Sequence, residues 1–301
     1  MTVTILLATR DGAAFLPGQL DSYLGQTLPD WRLLASDDGS RDATPAILER
    51  FRRDHPGRVT LAQGPGTGAA ANFLSLIRAT PDADHTAFSD QDDLWLPGKI
   101  ARAVAMLGRV PGDRPALYAS RVTVCDRALR PLRLSPAPDR PPGFRNALVQ
   151  NILHGHSIVM NRAATALLRQ AAARGPDVVM HDWWAYQVVT GAGGRIVFDS
   201  ESHVLYRQHG GNAVGASQGL GARLRPLVLR RQAHWMTANL AALAQAADLL
   251  APDRRALLDR LCAARAAGRA AFAAACWREG LCRQGPGGRL APALAALAGR
   301  L

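Results

Sequence analysis

A chain of 301 residues with 48% hydrophobic side chains can fold as one large α/β domain with an appendage, which excludes a disordered or disulfide-stapled class. The net charge of +12 is uneven: residues 219–301 hold 13 arginines against four acidic residues, so the basic character belongs to the C-terminal part. With no recognition motif and few interleaved aromatics, that charge does not point to nucleic acid. Four cysteines (Cys125, Cys262, Cys276, Cys282) without C-x-x-C spacing fit a reducing compartment. The N-terminus lacks a basic region, its apolar run ends at Thr9-Arg10, and no run is long enough to span a membrane. A cytoplasmic protein is expected.

Residues 2–8 form a nearly continuous β-rich apolar run, the pattern of a buried parallel strand. Thr9-Arg10-Asp11-Gly12 ends it, and Leu16, Leu20, Tyr23 and Leu24 then recur at helical spacing. A second strand over 31–35 closes on Ser36-Asp37-Asp38-Gly39-Ser40. Thr44-Pro45 reads as an N-cap and N1 pair for a helix burying Ile47, Leu48 and Phe51. A third strand at 58–62, a glycine loop at 64–68 and a helix at 70–79 lead to a fourth strand ending at Phe88. Beyond Lys99 the pattern gives a helix, an alternating strand at 117–124, and a proline-rich stretch over 131–145 that reads as a loop. A strand at 157–160, a helix at 163–173 and a helix opening on His181-Asp182-Trp183-Trp184 come next. Short strands at 195–198 and 204–206 around a turn lead to Tyr206-Arg207-Gln208-His209-Gly210-Gly211-Asn212. From about residue 220 the chain is Ala/Leu/Arg-rich and helical in period.

This alternation predicts a doubly wound, mostly parallel sheet flanked by helices, with a helical C-terminal extension. Ligands of such sheets sit at the carboxyl ends of the strands. Three strand ends carry polar clusters, at residues 9–11, 37–40 and 90–93, and the fold would converge them. The third, Ser89-Asp90-Gln91-Asp92-Asp93-Leu94-Trp95, places three carboxylates within four residues. Carboxylates that close raise one another's pKa unless a cation lies between them, and hard divalent metals prefer such oxygens. A solvated turn capping the next helix is the plainer reading of the same residues.

The ordered set TRDG, SDDGS, SDQDDLW, HDWW and YRQHGGN resembles the inverting family 2 glycosyltransferases of the GT-A fold, particularly the rhamnosyltransferase-like bacterial branch. The resemblance covers roughly residues 2–213. It implies a catalytic domain over 1–218 that uses a nucleotide-sugar, a dTDP- or UDP-sugar, with Mn²⁺ or Mg²⁺. By the same resemblance Thr9, Arg10, Asp38 and Asp90 bind the donor nucleotide, although Arg10 and Asp11 stand where the family commonly has an aromatic and Asn. Asp90, Asp92 and His209 match metal positions, and an imidazole ligand favours Mn²⁺ over Mg²⁺. Asp182 matches the general base that takes the acceptor proton; read alone it is also a plain helix cap. Asp93, Trp183, Trp184 and Arg207 are assigned to acceptor contact or support. His154 and His156 read as structural rather than as zinc ligands with His181.

The extension, 219–301, shows no catalytic motif. Arg223, Arg225, Arg230 and Arg231 lie among Leu224, Leu227, Val228 and Leu229, a basic amphipathic pattern for peripheral contact at the inner face of the cell membrane or for packing on the core. The expected activity is transfer of a sugar to a hydroxyl of a saccharide or lipid-linked saccharide, in cell-envelope polysaccharide or O-antigen synthesis. Two other readings stand beside it: a sugar nucleotidyltransferase, and a non-catalytic basic module that associates with membrane or RNA.

Overall fold

In the computed structural model the four apolar runs of the first part form β1 (Val3–Thr9), β2 (Trp31–Asp37), β3 (Val59–Gln63) and β4 (His85–Ser89). The structure describes residues 1–210 and 226–299, with side chains resuming at 235. Gly211, Asn212 and the side chains of the basic pattern from Arg223 to Arg231 therefore lie outside the described residues. Helices α1 (Leu16–Leu24), α2 (Thr44–Asp54) and α3 (Ala69–Ala79) connect these strands. Because strand side chains alternate, Val3, Ile5 and Leu7 enter one apolar cluster, with Leu16, Leu20 and Leu48, while Leu6 enters another with Phe73 and Phe88. Both faces of the sheet are covered, which is why the run is apolar throughout.

The chain continues through β5 (Leu94–Trp95), α4 (Lys99–Leu107), β6 (Ala116–Cys125), β7 (Pro131–Leu134), α5 (Phe144–Ala147) and a 3-10 turn at Gly155–Ser157. Next come β8 (Val159–Asn161), α6 (Arg162–Ala172), α7 (His181–Gly191) and β9 (Arg195–Arg207). Among the described residues nine strands make one sheet, in the order β3-β2-β1-β4-β8-β6-β9-β5 with β7 on β6. Pairing is parallel from β3 to β4 and mixed beyond, where β8 runs antiparallel to both β4 and β6.

Three local expectations are corrected. The segments 195–198 and 204–206 belong to one strand, because the polar residues between them are satisfied in place. Asp199 accepts from Arg102 Nε at 2.8 Å and from the Tyr118 hydroxyl at 3.1 Å, and shifts in the β6 register absorb the irregularity. Pro131 opens an edge strand, where its missing N–H costs nothing, so the proline-rich stretch is not irregular throughout. Thr44 is the first residue of α2 and does not cap it; its hydroxyl accepts the Gly12 N–H at 2.8 Å.

The last segment folds as α8 (Pro226–Ala244), α9 (Pro252–Ala266), α10 (Arg269–Arg278) and α11 (Leu290–Leu297). Leu240, Leu243, Leu258, Leu261 and Phe272 share one buried cluster with Trp184 and Val188 of α7. Burying a leucine stabilises by roughly 1.5–3 kcal/mol, so these helices are part of the core rather than a loose tail. Among the described residues no helix is long and apolar enough to cross a membrane. All four cysteines are unpaired.

Candidate active site

The carboxyl ends of β1, β2 and β4 meet, and their loops are tied together by side chains. Gln91, between Asp90 and Asp92 of the acidic motif, accepts from the Arg10 N–H at 2.9 Å and donates to the Arg10 carbonyl at 2.8 Å. Gly12 faces the same amide: a Cβ there would stand 2.1 Å from Gln91 Oε1, so a larger residue would push that amide off the Arg10 backbone. Asp11 holds the left-handed conformation (φ 48°) that Asp tolerates better than most residues. Its N–H donates to Ser40 Oγ at 2.8 Å, and its Oδ1 accepts from the Arg41 N–H at 2.7 Å.

Thr9 is buried, and its hydroxyl donates to Asp37 Oδ1 at 3.0 Å; Arg10 is exposed, with its guanidinium 3.8 Å from Asp38. Asp38 is buried, and its two oxygens accept from the N–H groups of Gly66 (2.7 Å) and Gly68 (2.8 Å). The sequence points to Asp38 as a reader of the base. The structure adds that this carboxylate shapes the glycine loop beside it.

The acidic motif divides into two acid–imidazole groups. His156, on the 3-10 turn, brings Nδ1 to 3.2 Å from Asp90 and to 3.2 Å from Asp93. His209, just past β9, places Nε2 2.7 Å from Asp92 Oδ2. Ligand atoms of Asp90, Asp93 and His156 all lie within 4.8 Å of one another, the spread of a metal-binding set. Burial alone would lower the pKa of His156, but the carboxylates of Asp93 and Asp90 hold it up at about 9. Burial pushes Asp93 up to about 7, and burial with the Asp90 charge raises Asp92. Asp90 is partly exposed; desolvation opposes its ionisation, yet the His156 contact keeps its carboxyl below the ordinary value.

Arg207 is buried. Its N–H donates to Asp93 Oδ1 (3.1 Å), its Nε donates to the Asp92 carbonyl (2.9 Å), and its guanidinium lies 4.8 Å from the centre of the Phe15 ring. Phe15 also packs on His209 at 4.7 Å. Below, Lys99 is fully buried with Nζ 3.3 Å from the Trp95 ring centre, and burial drives its pKa far down despite nearby Asp93.

Asp182 lies in the first turn of α7, partly buried, with Oδ1 accepting the Trp183 N–H at 2.7 Å. Gly155 lies against it: a Cβ there would stand 3.0 Å from His181 Nε2 and 3.3 Å from Asp182 Cβ. The neighbour of Gly155 is His156, so the first turn of α7 packs against the turn that brings His156 to the acidic group. Trp183 and Trp184 are 7% and 0% exposed, and Trp183 Nε1 donates to the Ala147 carbonyl at 2.6 Å. Their placement is beneath the site, with no ring face open to an acceptor.

Sequence reasoning missed His156, Gln91 and Phe15. The H-x-H spacing was the one signal for His156, but its carboxylates are more than 60 residues away in the chain and are joined to it only by the pairing of β8 with β4. His154 stacks behind His156 with ring centres 5.7 Å apart, and burial drops its pKa to about 3. His181 lies flat on Phe73 at 3.7 Å, so no three-histidine zinc site forms among the described residues.

A family model described as glycosyl transferase family 2 matches residues 4–170. The dTDP-rhamnosyl transferase RfbG of Shigella flexneri is 27% identical over 237 residues, covering 75% of this chain and 79% of that protein. The UDP-Glc:alpha-D-GlcNAc-diphosphoundecaprenol beta-1,3-glucosyltransferase WfgD of Escherichia coli is 26% identical over 105 residues, 35% of this chain and 40% of that protein. Among solved structures, S. aureus TarS 1-349 in complex with UDP-GlcNAc has a TM-score of 0.56 at 14% identity, covering 86% of this chain and 87% of that one. That likeness is one of fold. The family match spans more than half of the chain, which therefore belongs to glycosyl transferase family 2 and is a glycosyltransferase of GT-A fold. Membership sets aside the nucleotidyltransferase and non-catalytic readings.

Proposed function

We propose that this family 2 glycosyltransferase is metal-dependent and inverting, and moves a sugar from a dTDP- or UDP-sugar to a hydroxyl of a saccharide or lipid-linked saccharide in cell-envelope polysaccharide or O-antigen synthesis. The observation that carries the reading is the packing of the first turn of α7, which bears Asp182, against Gly155 beside the His156 of the acid–imidazole cluster. The dTDP and UDP options follow the names of the Shigella and E. coli relatives, and the second of those names includes a lipid diphosphate acceptor.

The cluster fits a divalent cation. Asp93 Oδ2 is buried and accepts no hydrogen bond among the described residues, with His156 Nδ1 3.2 Å away, and two carboxylates with one imidazole suit Mn²⁺ better than Mg²⁺. Asp90, Asp93 and His156 would hold it, with Asp92 and His209 as the adjoining pair. Bound there, the cation would neutralise the donor diphosphate and stabilise it as a leaving group. The remaining work falls to the chain. Asp38 and the glycine loop, with the Gln91-clamped Arg10 backbone, form the nucleotide side of the cleft. Asp182 faces the acceptor side and takes the proton of the attacking hydroxyl as the new bond forms opposite the departing diphosphate. Its Oδ1 is oriented by the Trp183 N–H, which leaves Oδ2 to receive that proton.

A thermal-shift screen tests donor and metal together, because a ligand bound only to the folded state raises Tm. A dTDP- or UDP-sugar should raise Tm with Mn²⁺ and lose that effect with EDTA. A donor shift unchanged by EDTA would overturn the metal dependence.

A further inference from the structure

Eight large apolar side chains are exposed among the described residues, and four of them sit together by chain and element: Trp277 on α10, and Leu290, Leu294 and Leu297 on α11. The leucines are spaced four and three apart, so they line one face of α11, at 52%, 60% and 54% exposure. Arginines mark both ends of that face. Arg289 directly precedes α11, with its guanidinium 5.0 Å from the Trp277 ring centre, and Arg269 lies against Gly299, just past the helix. These residues are separate in sequence from the basic stretch Arg223–Arg231.

We propose that the α10–α11 face rests on an anionic lipid surface, with Leu290, Leu294 and Leu297 entering the acyl boundary and Arg269 and Arg289 meeting the headgroups. At 1.5 Å per residue an eight-residue helix is about 12 Å long, so it can lie in an interface but not cross one. Charge decides against a second copy of the chain. A two-fold interface would set the same surface against itself, and residues 280–301, which include all of α11, carry three arginines and no acidic residue. Anionic headgroups complement that charge, and Trp277 beside Arg289 has the amphipathic character of an interfacial anchor. The proposal deepens the lipid-linked acceptor reading by naming where the enzyme meets the membrane. Its test needs neither donor nor acceptor, so its failure is separable from failure of that reading.

The experiment is co-sedimentation of the full chain with phosphatidylcholine vesicles and with mixed phosphatidylcholine–phosphatidylglycerol vesicles. Binding to the mixed vesicles should weaken with salt, and binding to phosphatidylcholine alone should be weak. The variant Leu290→Ser/Leu294→Ser/Leu297→Ser should bind at least about tenfold less, with unchanged circular dichroism. Arg269→Gln/Arg289→Gln keeps the apolar face and should lose most of the preference for phosphatidylglycerol; it decides the matter if the triple variant misfolds. Equal binding by wild type and the variants, or no binding by wild type, overturns the proposal. So does a wild-type dimer in sedimentation velocity that the leucine substitutions dissociate.

Discussion

The parallel half of the sheet and the C-terminal helices serve the site in different ways. In the parallel half, each functional side chain lies within a few residues of a strand end, and neighbouring loops bond to one another directly: Gln91 to Arg10, Asp38 to Gly66 and Gly68, and Thr44 to Gly12. The C-terminal helices act at one remove. Arg145 Nε donates to the Glu279 carbonyl (2.7 Å), Asn146 donates to the Cys282 carbonyl (2.9 Å), and the Gln284 N–H donates to Gln150 (2.7 Å). The segment held in this way then holds α7, because Trp183 Nε1 and Gln187 Nε2 both donate to the Ala147 carbonyl and the Tyr186 hydroxyl accepts the Gly143 N–H. The contrast teaches that the groups proposed to meet the donor are written locally, whereas placement of the α7 carboxylate depends on packing from the far end of the chain. On this account 1–218 and 219–301 act as one unit, and we propose that the extension positions the base.

The comparison can be broken at either side. The largest effect on donor binding is expected from Asp90→Ala in the parallel half: turnover should fall at least about 100-fold and Mn²⁺ should no longer tighten donor binding, read by calorimetry. Unaltered metal dependence would remove Asp90 from the donor corner. On the C-terminal side, Arg145→Ala/Gln150→Ala removes the Arg145 donor and the Gln150 acceptor and should lower kcat about tenfold at an unchanged donor KM, since a small misplacement of a catalytic group is costly while the donor corner is untouched. A rise in donor KM instead would show that the extension supports the wrong corner.

Gln91→Ala should do the reverse, raising donor KM by about tenfold, because it loosens the Arg10 backbone through two hydrogen bonds of roughly 1 kcal/mol each. Gln91→Glu keeps the acceptor for the Arg10 N–H but loses the donor, and should fall between the two. The smallest effect concerns stability alone. Burial opposes ionisation of Asp199, but Arg102 holds its carboxyl below the usual value, so its contribution is present above the unfolded pKa and is lost as pH falls through the folded one. Asp199→Asn should therefore lower Tm by about 2–4 °C at neutral pH, and the gap should close as the medium is acidified below about pH 4.

The same contrast explains what the sequence could and could not disclose. Strand–helix alternation and the acidic strand ends were readable because apolar periodicity and motif order are local. His156 was not, because its partners Asp90 and Asp93 reach it only through an antiparallel pairing of two short strands. The polar centre of β9 resembled a turn because Asp199 finds Arg102 across 97 residues of chain. Asp93 looked like a helper to Asp92, yet its full burial and its bond from the Arg207 N–H make it the deepest carboxylate of the cluster. The packing of α8 to α10 against α7 carries no motif, since alanine and leucine at helical spacing do not name the surface they will cover.

The central claim is that donor binding and proton removal belong to two adjoining corners, the second built on Asp182. The most direct test measures both quantities on Asp182→Asn, an isosteric change that keeps an oxygen to accept the Trp183 N–H. Donor affinity in Mn²⁺ should stay within about twofold of wild type while the transfer rate falls by roughly 10²–10⁴, the range of a lost general base. Equal loss of donor binding and transfer, or a transfer rate near that of wild type, would contradict the account.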